Sequence, residues 1–150
     1  QEDVLALREG LADGTIDAVA TDHAPHPSED KECEWSAAAF GMLGLETALS
    51  VVVESMVNTG LLDWAGVADR MSIRPAAIGR VRDQGGRLEV RQPAHVTLVD
   101  PHASWTVRPN ELASRSRNTP YRERVLPGRV VHTIFDGKPT VIDGQTERMH

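Results

Sequence analysis

The chain is short of cysteine, of aromatic residues, of basic tracts and of long apolar runs. Its single cysteine, Cys33, excludes an internal disulfide and fits a reducing compartment. No apolar run is long enough to span a bilayer and no signal peptide is present, so a soluble, cytoplasmic protein without a membrane partner is expected. The formal net charge is −6, and the acidic residues are dispersed apart from the run Ser28–Glu34. No basic stripe is interleaved with aromatics, so nucleic acid is not an expected partner. Internal repeats and low-complexity tracts are absent as well. Residue 1 is Gln rather than Met, inside a charged amphipathic stretch, and the expectation is a piece of a longer protein.

What is present is ordinary globular material: 150 residues, 40% of them hydrophobic, enough for one modest core. Gln1–Ala12 reads as a helix that Gly14 stops, and "IDAVAT" follows as a buried strand of small side chains. Helix then strand across a short connection suits an α/β unit with a parallel strand. Pro25–Trp35 is a polar loop longer than most connectors. Met42–Gly60 predicts a helix with a Leu, Val and Met stripe that is packed core. Asp63–Arg70 predicts another, with Asp63 as N-cap, and "RPAAIGRV" a short one with Pro75 in its first turn. Beyond Gln84 the texture changes. "AHVTLVD", "SWTVR", "RVVHTIF" and "PTVID" are short β-rich runs, Asp136-Gly137 is a hairpin signal, and Pro109–Pro127 is a long irregular connection.

The chemistry concentrates in "AVATDHAPH", Ala18–His26. Thr21, Asp22, His23 and His26 fall just past the apolar segment, where Pro25 and Pro27 stop any regular element from absorbing them. Two readings stand open. A carboxylate at the C-terminal end of a parallel barrel strand is where that architecture places catalytic groups. There Asp22 would bind a divalent metal through one oxygen and move a proton with the other, as metal-assisted hydrolysis requires. Alternatively the aspartate simply caps a turn. Asp-x-x-x-His is not a zinc site alone, because such a site needs three or more ligands. His95, His102, His132 and His150 read as surface or satisfied core residues.

Taken together, "TDHAPH" with its acidic loop, "AAFGMLGLET", "SIRPAAIGR", "GGRLEVRQPAHVTLVDP", "SRSRNTPY" and "GRVVHTIFDGKPTV" resemble the C-terminal part of the bacterial dihydroorotases. These are amidohydrolases, metal-dependent (β/α)8 barrels, and the resemblance covers nearly the whole chain. It implies an α/β fold: the last βα portion of a TIM-type barrel in residues 1–83, then a small β-rich, sandwich-type domain in residues 84–150.

The resemblance also implies roles. Asp22 matches the aspartate of the last barrel strand, a metal ligand that gives and takes the proton. His26 matches the histidine that contacts the substrate carboxylate, and Phe40 and Gly41 match a pair whose backbone meets the pyrimidine ring. Gly41 has its own physical reason, since glycine lets main chain approach a planar ligand closely. His23, beside the catalytic position, reads as a residue that supports the site or is structural. Zinc is the expected cofactor, and the expected substrates are L-dihydroorotate and N-carbamoyl-L-aspartate. The remainder of the same enzyme upstream of Gln1, a second copy in a homodimer and aspartate transcarbamoylase are the expected protein partners. The family's early His-x-His metal pair is nowhere in this chain. Two rivals remain: another cyclic amidase of hydantoinase or allantoinase type, which His26 argues against, and a non-catalytic dihydroorotase-like subunit that scaffolds the transcarbamoylase.

Overall fold

In the computed structural model, which describes residues 1–147, the first helix, α1, runs over Glu2–Asp13. Gly14 ends it in the left-handed region at φ 94°, returning its N–H to the Gly10 carbonyl at 3.2 Å. The Asp13 carboxylate accepts the Thr15 N–H at 2.8 Å, which holds that carboxyl below its ordinary range. No α1 residue is buried, and Val4, Leu5 and Leu7 face solvent.

The next segment corrects an expectation. Residues 16–21 join no sheet. A strand exists only beside a neighbour, and among the described residues none lies alongside. The segment is instead tied at single points. The Val19 N–H donates to the Arg70 carbonyl at 3.1 Å, the Ala24 N–H donates to the Met42 carbonyl at 2.9 Å, and His23 and Met42 form one parallel bridge.

The expected Met42–Gly60 helix also starts late. After a short helix, α2 (Ser28–Lys31), regular winding resumes only at α3 (Ala48–Val52) and widens into a π turn over Val53–Val57. The Leu43 N–H goes to the Asn118 carbonyl, and those of Gly44 and Leu45 go to the His23 ring nitrogen, so these residues serve the loop beside them.

Asp63 caps α4 (Trp64–Ala68) as expected, its side chain accepting the Gly66 N–H at 2.7 Å. A π turn over Asp69–Ile73 leads directly into α5 (Arg74–Gly79). Pro75 has no N–H and its ring crowds the carbonyl four residues back, and widening just before it relieves both problems. Buried Val52, Met56 and Val67 form the core between these helices, with Leu11 and Val19 packed against it. Arg70, 6% exposed, is buried beside the end of α1. It donates to the Leu11 carbonyl at 2.8 Å, satisfying one of the open carbonyls at the end of α1, and pairs with Asp69 at 2.6 Å.

The second half is an antiparallel meander of four strands in sequence order. β1 (Val96–Thr106) joins two runs expected as separate, kinking where its pairing shifts between Asp100 and Ser104. β2 (Val125–Phe135) turns through Asp136 and Gly137, both at positive φ, into β3 (Lys138–Ile142), as the Asp-Gly signal predicts. Asp143 and Gly144 repeat the device before β4 (Gln145–Thr146). The described residues make one sheet, and the second sheet that a sandwich requires is not formed among them. The meander packs on α3. Ser50 Oγ donates to the Gly128 carbonyl at 2.8 Å and accepts from the Trp105 indole at 2.9 Å. No helix among the described residues is long and apolar enough to cross a membrane.

Candidate active site

The sequence puts Asp22 at the entrance of a loop, and the backbone makes it unusual there. Asp22 is exposed and adopts a left-handed φ of 44°, a conformation that Asp tolerates better than most residues. The turn-capping job falls to its neighbour. His23 Nδ1 accepts the N–H groups of Gly44 at 3.1 Å and Leu45 at 3.4 Å, which makes His23 structural.

Four residues past Asp22, half-buried His26 stands against Gly41. A Cβ on Gly41, whose φ is 105°, would lie 3.6 Å from His26 Nε2 and 2.5 Å from the Ala24 Cβ. The Gly41 stretch is therefore laid flat on the Ala24–His26 stretch, and only glycine permits that distance. Lys31 Nζ holds the same stretch from the other side, donating to the Ala39 carbonyl at 2.6 Å and the Gly41 carbonyl at 3.0 Å.

A third segment closes the arrangement. The "SRSRNTPY" loop, residues 114–121, brings in Asn118. Its Oδ1 accepts the His26 N–H at 3.3 Å, and its Nδ2 donates to the Ala24 carbonyl at 2.9 Å. Arg117 folds back on its own loop, donating to the Ser116 carbonyl at 2.9 Å and to the Ser114 carbonyl.

These three segments surround a cavity of about 330 Å³ lined by His26, Gly41, Lys31, Arg117, Asn118 and Arg122 among others. Three of its lining side chains are cationic and one, Glu32, is anionic, so the cavity suits a ligand carrying negative charge. The structure thus brings His26 and Gly41 together. It does not bring in the other two expected site residues. Neither Asp22 nor Phe40 lines this cavity; the Phe40 ring is 96% exposed, and the contact expected of Phe40 is through its backbone. Lys31 and Asn118 are additions that motif reading passed over. Lys31 looks like part of a charge run, and Asn118 is 92 positions from the histidine it holds.

Metal chemistry can be tested against the donors present. Among the described residues, no three His, Cys, Asp or Glu side chains cluster closely enough to hold a metal ion. Asp22 offers one carboxylate where a zinc site needs three or more protein ligands. These residues by themselves therefore do not make a metal site. The histidines of the sheet are committed elsewhere: His95 and His132 accept the N–H groups of Asp136 and Asp143 beside the two tight turns. His102 is exposed, and His150 lies outside the described residues.

No family model matches the chain. Individual proteins do. Over 97% of its length the chain is 65% identical to a dihydroorotase of Streptomyces coelicolor, and over 95% it is 56% identical to that of Mycobacterium tuberculosis. The chain is similar to a segment of dihydroorotase. It spans 34% and 33% of those two relatives. Among solved structures, an L-hydantoinase (dihydropyrimidinase) from Arthrobacter aurescens superimposes with a TM-score of 0.86 at 30% identity, covering 96% of this chain and 33% of that one. A D-hydantoinase (dihydropyrimidinase) from a Thermus species gives 0.83 at 26% identity, covering 95% and 32%. Dihydroorotases are thus the more similar in sequence, and hydantoinases share the shape.

Proposed function

We propose that this chain is the C-terminal segment of a dihydroorotase. The reaction is the reversible interconversion of L-dihydroorotate and N-carbamoyl-L-aspartate in pyrimidine synthesis. The observation that carries the proposal is the meeting of His26 and Gly41 at a cavity rich in cationic side chains, in a chain 65% identical to a dihydroorotase. The substrate's carboxylate would accept from the His26 ring, and its flat ring would lie against the Gly41 backbone. Asp22 would take the proton of the attacking water and return it to the departing ring nitrogen, so that hydrolysis consumes no net proton at this group. As a metal ligand, Asp22 would join a zinc centre whose other ligands come from outside this chain. The metal, when bound, supplies the Lewis acidity that activates the water.

The same reading assigns residues 1–83 to the last βα portion of a (β/α)8 barrel and residues 84–150 to a β-rich domain. Residues 16–21 would complete a ladder with barrel strands from the rest of the enzyme, and the meander would gain a second sheet to become a sandwich. Exposed apolar side chains on α1 are what such an interface would cover. A cytoplasmic homodimer, with aspartate transcarbamoylase as candidate partner, completes the proposal.

The hydantoinase-like shape keeps one competing activity in view. A hydantoin ring carries no carboxylate for a cationic cavity to pair with. The test is initial-rate assay of the full-length protein on L-dihydroorotate, N-carbamoyl-L-aspartate, hydantoin and allantoin. Turnover of the first pair is expected. Preference for a neutral cyclic amide, or no turnover of any of them, would reject the proposal in favour of one rival or the other.

A further inference from the structure

We propose that Asn118 is a positioning residue for substrate binding, acting through His26. The inference rests on the dihydroorotase reading of His26 and adds a residue to it.

An Asn side chain has one acceptor oxygen and two donor hydrogens, and here both kinds are used across a gap between two segments. Oδ1 accepts the His26 N–H at 3.3 Å, while Nδ2 donates to the Ala24 carbonyl at 2.9 Å and reaches the Gly41 carbonyl at 3.5 Å. The Asn118 backbone carbonyl accepts the Leu43 N–H at 3.1 Å. One residue thus touches both the Ala24–His26 stretch and the Gly41–Leu43 stretch, the two that meet the proposed substrate. The segments lie in contact where Gly41 crosses Ala24, so a shift in one displaces the other.

Pro25 and Pro27 flank His26 and lack N–H groups. The His26 N–H is therefore the one backbone donor in residues 25–27, and Asn118 occupies it. Without that bond no N–H of residues 25–27 holds the backbone under the imidazole. The ring's direction relative to Gly41 is set from a loop 92 residues away.

Asp cannot substitute. It keeps the acceptor for the His26 N–H but sets a carboxylate oxygen against the Ala24 carbonyl, where two acceptors repel. Asn118→Ala removes the brace altogether.

The test is a double-mutant cycle in the full-length protein. Asn118→Ala and His26→Ala are made singly and together, with KM, kcat and thermal midpoint measured on L-dihydroorotate; the neutral, shorter Asn118→Ser replaces Asn118→Ala if the latter does not fold. Asn118→Ala is expected to raise KM about tenfold with little change in kcat, the factor one well-placed hydrogen bond is worth in binding. In the His26→Ala background the same change should move KM less than about twofold, because residues acting through one contact are not additive. A tenfold effect persisting without His26 would show that Asn118 acts elsewhere and overturn the proposal. So would a lowered thermal midpoint with KM unchanged, which is the mark of a purely structural brace. Absence of dihydroorotate turnover in the unaltered protein would instead remove the functional reading itself, and this inference with it.

Discussion

Gly41 and Ala24 approach so closely that a Cβ added to Gly41 would sit 2.5 Å from the Ala24 Cβ. Real carbon atoms do not tolerate that spacing, and the φ of 105° at Gly41 is itself costly for any other residue. Gly41→Val in the full-length protein should therefore lower stability by about 1–3 kcal/mol and raise KM together, since the displaced backbone is the proposed ring contact. The close approach means that Gly41 serves the local fold as well as its proposed substrate contact. Thermal unfolding and KM measured on the same preparation check this, and a stable enzyme with normal KM would show that the contact constrains nothing.

A second expectation concerns Arg70. Its guanidinium bonds the Leu11 carbonyl at 2.8 Å and Asp69 at 2.6 Å from a buried position. Arg70→Met keeps much of the volume but leaves the Leu11 carbonyl without this partner, a loss of about 2–4 kcal/mol. Amide exchange should show the C-terminal turn of α1 opening first. Protection there equal to that of the unaltered protein would mean that packing alone secures α1.

The division between what was legible in the sequence and what was not follows the range of each signal. Gly14, Asp63 and Asp136-Gly137 act within a few residues of themselves, and each stops, starts or turns the chain where its chemistry says it should. Residues 16–21 carry the composition of a buried strand, yet a strand depends on a partner, and none lies beside them among the described residues. Leu43 to Leu45 have helical spacing, yet regular winding begins only at Ala48, and their N–H groups meet Asn118 and His23, tertiary contacts that no local pattern encodes. The candidate site divides likewise. His26 and Gly41 stand in short, distinctive motifs, whereas Asn118 reaches the site only when its loop crosses to His26.

The third expectation is that residues 1–150 expressed alone retain no zinc and do not turn over dihydroorotate. Among the described residues Asp22 has no cluster of further ligands, and no His-x-His pair exists in the chain. Elemental analysis after dialysis and a direct assay decide it. Stoichiometric zinc held by the isolated chain would contradict the proposal that the remaining ligands come from outside it.

The central claim is that Asp22 moves the proton in a dihydroorotase reaction, and one measurement addresses it most directly. Full-length protein and its Asp22→Asn variant are compared by steady-state kinetics in both reaction directions, with metal content determined for each. Asn keeps the shape and one oxygen for a metal but accepts no proton. The expected result is turnover of both substrates by the unaltered protein and a fall in kcat of about 10²–10⁴-fold in both directions for the variant, the usual contribution of a positioned general base. An Asp22→Asn enzyme with full metal and near-normal kcat would contradict the account.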